Sequence, residues 1–103
     1  MTIGVHRVLL DVHRERGAQD RKFGVQRHPN GTSESYRKVA DEARALTQRR
    51  ADDGTVTWVD ILHEEVLEAF AETATRPLRA ELVQIAAVAV AWVEDLDSQG
   101  GEQ

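Results

Sequence analysis

The chain has 103 residues, of which 41% are hydrophobic and 30% are charged, and its net charge is −5 at pH 7. These values are typical of one soluble globular domain, and the acidic balance argues against a dedicated DNA-binding protein, because phosphate contacts need a basic surface. The sequence has no cysteine, which excludes disulfides, thiolate metal sites and cysteine nucleophiles and is typical of a reducing compartment.

Apolar residues recur at helical spacing in residues 2–16, which predicts a first helix with one apolar face. Gly17 either ends this helix or weakens it. Residues 19–32 contain two glycines, one proline and an Asn-Gly pair, and they predict the longest loop of the chain. No segment alternates as a strand does, so we predict an all-α fold.

Two further helices are marked by residues that start and stop helices. Either Thr32 or Ser33 can cap the second helix, and the polar segment around Gly54 is expected to end it. Thr57 is expected to cap the third helix. Thr57 and Asp60 stand three residues apart and form a variant of the capping box, with Asp in place of Glu or Gln.

The third helix is predicted to end three residues before Pro77. The fourth is predicted to have Thr75 as its cap and to run to about Asp97, with Pro77 in its first turn, where the missing N–H does no harm. Together these segments predict a four-helix bundle. We expect one domain over residues 1–98 and a flexible C-terminal tail over residues 99–103.

The fourth helix contains the run Leu82–Val93, which is apolar except for Gln84. A helix that is apolar on every side is expected to be buried on every side. Four helices of so short a chain can hardly surround it, so we expect a homo-oligomer, a homodimer at least. The run is too short to cross a bilayer, and the mixed first residues do not resemble a signal peptide, so the predicted location is the cytoplasm.

One face of the third helix is acidic. On a helical wheel Glu64, Glu65, Glu68 and Glu72 occupy one sector, apart from the apolar sector. Like charges at these spacings cost roughly 0.2–0.5 kcal/mol per pair, and no basic residue stands four positions from Glu64 or Glu68. The ordinary explanation of such a run is a solvated face.

The fourth helix favours a different interpretation. Glu81 and Gln84 share one of its faces, and in a short antiparallel hairpin Glu68 would lie level with Glu81. Partly buried carboxylates that face one another repel, so they take up protons or bind a cation. Oxygen ligands without cysteine favour Mg²⁺ or Mn²⁺. The predicted walls of this metal site are Glu64, Glu65, Glu68 and Glu81.

These residues stand in a known pattern. The sequences EEVLE (64–68) and ELVQ (81–84) resemble the motif of the MazG-like all-α nucleoside triphosphate pyrophosphohydrolases. In that family Glu-Glu-x-x-Glu is followed, about a dozen residues later, by Glu-x-x-Asp. The resemblance covers residues 57–97, and AQDRKFGVQRHPNGT (18–32) also looks like the N-terminal segment of small MazG-like proteins of phage and actinobacterial type. It implies a MazG-like bundle that assembles as a dimer or tetramer.

The resemblance also implies an activity. Members of the family hydrolyse a nucleoside triphosphate to the monophosphate and pyrophosphate with Mg²⁺. Carried over, Glu64 or Glu65, together with Glu68 and Glu81, would coordinate the metal and form the catalytic site. Gln84 stands where the family has its fourth ligand, an aspartate, and offers a neutral carbonyl oxygen in place of a charge. The metal would polarise phosphate oxygens and activate a water for in-line attack.

Residues outside the acidic motif are candidates for binding the substrate. Lys22 could hold a phosphate, Phe23 could stack on a base, and Gln19 could bind a base edge. Alternatively, this part of the chain is a solvated basic loop with Phe23 packed into the core. Arg37 or Lys38 of the second helix could reach a triphosphate, although such residues also suit a solvated face.

Two functions follow from these patterns. The first is a Mg²⁺-dependent nucleotide pyrophosphohydrolase that acts in nucleotide-pool control or house-cleaning. The second is a non-catalytic MazG-like helical module that dimerises, which Gln84 favours because it marks the loss of a charged ligand. The crowded glutamates opposite Glu81 favour the first function, since an interaction module does not need them. Neither function implies a membrane or a stable nucleic-acid partner.

Overall fold

The structure, a computed structural model, describes residues 3–100. Within this range the chain forms four α-helices and one short 3-10 helix, and no strand. The all-α prediction is therefore confirmed. The elements in chain order are α1 (Ile3–Phe23), the 3-10 helix (Glu34–Tyr36), α2 (Arg37–Asp53), α3 (Trp58–Ala71) and α4 (Thr75–Gly100).

The chain divides into two compact units. Of the described residues, the first unit contains 3–30 and 90–100, and the second contains 31–89. Helices α2 and α3 belong to the second unit together with residues 75–89 of α4, whereas α1 belongs to the first unit. The single domain expected from the sequence stays a prediction.

Helix α1 continues through Gly17, so residues 19–23 are helical and not part of a loop as predicted. The guanidinium of Arg16 contributes to this continuation. It donates a hydrogen bond of 2.8 Å to the carboxylate of Asp20, and such an i,i+4 pair offsets part of the roughly 1 kcal/mol that glycine costs inside a helix. Gly24 follows the helix with a φ of 68°, a left-handed conformation that favours glycine.

Ser33, one of the two predicted caps, begins the next helical segment. Its backbone is extended, and its hydroxyl oxygen accepts a hydrogen bond of 3.1 Å from the Ser35 N–H. This cap starts the 3-10 helix, which leads directly into α2. Helix α2 ends at Asp53, and Gly54 follows with a φ of 80°. The predicted stop at Gly54 is confirmed, because a residue with a Cβ rarely adopts this conformation.

The capping box predicted at the start of α3 is present. The Asp60 N–H donates to Thr57 Oγ1 at 3.2 Å, and the Asp60 carboxylate accepts hydrogen bonds of 3.0 Å from the Thr57 N–H and hydroxyl. Arg50 of α2 donates to the same carboxylate at 2.5 Å. The pKa of Asp60 is held below its ordinary value, although burial acts to raise it. The hydrogen bond from the Thr57 N–H lowers this pKa most, and the Thr57 hydroxyl and Arg50 lower it further.

Helix α3 ends at Ala71, earlier than predicted. Glu72 turns to an extended conformation, with φ −87° and ψ 123°. The Ser33 N–H donates a hydrogen bond of 2.9 Å to the Phe70 carbonyl oxygen. A segment distant in sequence thus satisfies one of the carbonyls that a helix end leaves without an intrahelical partner.

Three ion pairs join α2 to α3 and to Glu72, the residue that follows α3. The partner of each successive arginine along α2 lies earlier in the sequence than the partner before it, so the two helices are antiparallel. Both helices also bury small alanine side chains, which permit their backbones to approach closely. The ion pairs are Arg37–Glu72, Arg44–Glu68 and Arg50–Asp60.

Helix α4 has Pro77 in its first turn, as predicted, and extends to Gly100. Residues 99 and 100, which the sequence placed in a flexible tail, are helical. Residues 101–103 of that tail lie outside the described residues. Among the helices of residues 3–100, none combines the length and the apolar character that crossing a lipid bilayer requires.

The capping box yields a first prediction. Thr57→Ala removes the hydroxyl that accepts from Asp60, and we expect the free energy of unfolding, measured by urea denaturation, to fall by about 1 kcal/mol. The control is Thr73→Ala, which replaces an exposed threonine between α3 and α4. It should change the free energy of unfolding by less than about 0.5 kcal/mol. Equal effects of the two substitutions would contradict the role given to the cap.

Candidate metal centre

Three carboxylates of the second unit converge on one point. One oxygen each from Glu65, Glu68 and Glu81 lies within 4.8 Å of the other two. Glu65 and Glu68 share a face of α3 because they stand three residues apart, and α4 supplies Glu81. All three residues are partly buried. We call them the carboxylate cluster.

One oxygen of the cluster has no compensating contact. Glu81 Oε2 is buried, and among the described residues it has no hydrogen-bond partner. A buried carboxylate oxygen without a partner carries the desolvation cost of a charged group. A proton or a bound cation would remove that cost. This atom therefore points to a ligand independently of the spacing of the glutamates.

This environment raises the affinity of Glu65 for a proton. The pKa of Glu65 is raised from its ordinary value of 4.5 to about 7. Burial is the largest cause, followed by the charges of Glu68 and Glu81 and by a hydrogen bond to Glu81, in which the protonated carboxyl group is the donor. Glu65 therefore titrates near neutral pH.

Glu64 lies beside the cluster but is not one of its three members. Burial raises the pKa of Glu64, and so do the charges of Glu68 and Glu81, whereas Arg44 lowers it. Of the two glutamates that the resemblance offered as one ligand, Glu65 is the one that joins the close group of oxygens. Glu64 adds negative charge next to it.

A basic residue that was not predicted for this site lies against the cluster. Arg44 of α2 donates from Nε to Glu68 Oε1 at 2.8 Å, and its Nη2 pairs with the same oxygen. These contacts raise the pKa of Arg44. The wheel of α3 could not reveal this partner, because it comes from another helix. The signal available in the sequence was the seven-residue spacing of Arg37 and Arg44, which places both on one face of α2.

Of the other predicted residues of the second unit, Gln84 is exposed on α4, three residues after Glu81 and on the same face of that helix. Its part in the site stays a prediction. Arg37 pairs with Glu72 at 3.1 Å, so Glu72 compensates a residue of α2 and lies outside the cluster. Lys38 is exposed on α2.

The predicted substrate-binding residues near Gly24 belong to the first unit. Gln19 accepts a hydrogen bond of 2.8 Å from Arg16 within α1. The Lys22 ammonium lies 5.2 Å from the centroid of the Phe23 ring, within the range of a cation–π interaction. Phe23 is 58% exposed, so the alternative in which it packs into the core is wrong.

Two surface cavities are lined by residues outside the carboxylate cluster. One, of about 440 Å³, belongs to the first unit and includes Arg16 and Asp20. The other, of about 450 Å³, lies between α2 and α3 and is lined largely by apolar residues such as Leu46 and Leu67. Neither is lined by a member of the cluster, so we do not assign them to the candidate site.

Comparison with known proteins does not identify the chain: no protein-family model, no curated protein and no solved structure matches it. The resemblance to the MazG-like enzymes rests on the glutamate motif and stays a prediction. What the site does must be argued from its own chemistry.

The raised pKa of Glu65 predicts how stability depends on pH. Because the folded state binds the proton more tightly than the unfolded chain, this contribution is fully present below the ordinary pKa of 4.5 and is lost as the pH rises through about 7. Glu65→Gln carries no charge at any pH. Its stability relative to the wild type should therefore rise between about pH 5 and pH 8, on the order of 2 kcal/mol.

Urea denaturation of the two proteins across this pH range measures the difference, in which titrating groups distant from the cluster cancel. Glu72→Gln is the control, because Glu72 is paired with Arg37 outside the cluster. A wild type and a Glu65→Gln variant with parallel pH profiles would contradict the raised pKa.

Proposed function

We propose that the chain is a Mg²⁺-dependent nucleoside triphosphate pyrophosphohydrolase, which converts its substrate to the nucleoside monophosphate and pyrophosphate. The observation that carries the proposal is the carboxylate cluster of Glu65, Glu68 and Glu81, with the buried and unpartnered Oε2 of Glu81. The resemblance of EEVLE and ELVQ to the MazG-like motif supplies the reaction class.

The ligands of the cluster fit a hard cation. They are all carboxylate oxygens, they come from two helices, and they are partly shielded from water. Mg²⁺ and Mn²⁺ prefer such oxygens, whereas zinc sites are usually built with histidine or cysteine. Glu65, Glu68 and Glu81 would hold the metal. When bound, the metal supplies polarisation of phosphate oxygens and a lower pKa for a bound water.

A triphosphate is an anion, and the carboxylates would repel it unless the bound metal neutralised their charge. Glu64, beside the cluster, has a different role in this proposal. Glu64 stands next to the cluster, and its pKa is raised by burial. A carboxylate with a raised pKa is a stronger base, so Glu64 is suited to accept the proton of the attacking water.

A second candidate function is a helical module that dimerises without catalysis. Gln84 favours it, because a neutral amide stands where the resembling family has an aspartate, and Gln84 is exposed. The cluster argues for the enzyme. An interaction module has no use for the repulsion among three partly buried carboxylates, whereas a metal enzyme needs that charge to bind its cation.

Self-association is part of both candidate functions. Leu82 and Val83 of α4 are 52% and 54% exposed, and they begin the apolar run that the sequence predicts to be covered. A contiguous exposed apolar surface is typical of an interface, and a second copy of the chain is the partner that a homo-oligomer requires.

The assembly can be tested by sedimentation at micromolar concentration. We expect a dimer or larger species, and Leu82→Lys should shift it toward monomer, because a charge in an apolar interface is costly to bury. Ser98→Lys adds the same charge to an exposed position of α4 outside the apolar run and should leave assembly intact. A wild type that sediments as a stable monomer would refute self-association.

The reaction can be tested by detecting pyrophosphate released from a panel of nucleoside triphosphates with Mg²⁺ or Mn²⁺. Glu68→Ala should lower turnover by roughly 100-fold or more, since even outer-shell partners of a metal contribute 10–100-fold. Glu72→Ala removes a carboxylate of the same stretch of chain that lies outside the cluster, and it should retain most of the activity.

Gln84→Asp separates the two candidate functions. If charge at the metal limits the reaction, the added carboxylate should raise metal affinity or turnover. The non-catalytic module is favoured if the wild type releases no pyrophosphate from any nucleotide and Gln84→Asp does not restore the reaction.

A further inference from the structure

We propose that Arg44 is an exchangeable counter-ion of the carboxylate cluster: it neutralises Glu68 in the metal-free chain and leaves when a divalent cation binds. The proposal rests on the metal site proposed above. It makes Arg44 a positioning residue that sets the metal concentration at which the site fills.

The geometry of the ion pair suits exchange. Both donors of Arg44, Nε and Nη2, are directed at a single oxygen, Glu68 Oε1. The strongest arginine–carboxylate pairs are bidentate, with two parallel hydrogen bonds to the two oxygens of the carboxylate. The contact with Glu68 does not have that form. It compensates the charge without occupying both oxygens.

The two partners differ in their freedom to move. The Glu68 side chain is 12% exposed, whereas the Arg44 side chain is 60% exposed. Glu68 is held within the cluster by its burial, but the guanidinium of Arg44 can swing into water without a large desolvation change. Exchange therefore moves the arginine and leaves the carboxylates in place.

The other arginines that join α2 to α3 do not share this arrangement. Arg50 bonds Asp60, whose carboxylate is already engaged in the capping box of α3. Arg37 bonds Glu72, which lies outside the cluster. Of the three arginines that pair across these helices in the described part of the chain, Arg44 alone pairs with a member of the cluster.

Electrostatics favour competition between the two cations. A guanidinium and a divalent cation bound to the same carboxylate would lie a few ångströms apart, where like charges repel strongly in a partly buried site. The cluster without either cation would be left with the repulsion of its own carboxylates. Arg44 therefore stabilises the metal-free chain and, for the same reason, weakens its affinity for metal.

The test measures Mn²⁺ binding, by the electron paramagnetic resonance signal of free Mn²⁺, at fixed ionic strength. Arg44→Gln should bind Mn²⁺ about three- to tenfold more tightly than the wild type, because it removes a competing ion pair and a positive charge. Arg37→Gln removes the same charge from the same helix and should stay within about twofold of the wild type. Glu68→Gln should weaken binding.

A second measurement needs no variant and is independent of how Arg44→Gln folds. In a Mg²⁺ titration of the wild type, the ¹⁵Nε–H resonance of Arg44 should move to the position of a free arginine, while that of Arg37 stays.

The outcomes separate this inference from the proposed function. Mn²⁺ binding that depends on Glu68 but is equal or weaker in Arg44→Gln, or an Arg44 resonance that is unmoved at saturating Mg²⁺, overturns the exchange and leaves the metal site standing. If neither the wild type nor Arg44→Gln binds Mn²⁺ or Mg²⁺, the metal site fails and the exchange fails with it. Mn²⁺ binding seen only in Arg44→Gln would support the exchange.

Discussion

Repulsion among three carboxylates is the constraint on which the second unit depends. Oxygens of Glu65, Glu68 and Glu81 lie within 4.8 Å of one another, and three full charges at that separation in a partly buried place are strongly unfavourable. The chain meets the constraint with two positive charges of different kinds. Its surroundings raise the pKa of Glu65 to about 7, so that this carboxyl group binds a proton more readily than an ordinary glutamate, and the guanidinium of Arg44 lies against Glu68.

Contacts of helix α3 keep its glutamates in position despite this repulsion. Helix α3 is joined to α2 near its start by the Arg50–Asp60 ion pair, and near its end it accepts the hydrogen bond from Ser33 to Phe70. Contacts at both ends oppose a rotation that would carry its glutamates into water. Positions held by the fold before a ligand arrives cost little to organise when it binds, which is the condition for a site that acts on a metal and a charged substrate.

Helix α4 connects the site to the proposed assembly. It carries Glu81 and, in the next position, Leu82, which is half exposed. A second subunit that covered the apolar run would withdraw water from the neighbourhood of Glu81. Lower local polarity strengthens every charge interaction in the cluster. Assembly and cation binding would then be coupled, with the loss of one weakening the other.

The sequence by itself determined what depends on neighbouring residues: the helical periodicity, the capping box at Thr57 and the stop at Gly54. It also indicated an acidic site, because glutamates three residues apart share a helix face. The tertiary structure alone decided that Glu65 and not Glu64 joins the cluster and that Arg44 compensates Glu68. These contacts join residues far apart in sequence, and they depend on how two helices are rotated and offset against each other. Periodicity gives the apolar face of a helix, but it does not give that rotation or offset to within the length of a hydrogen bond.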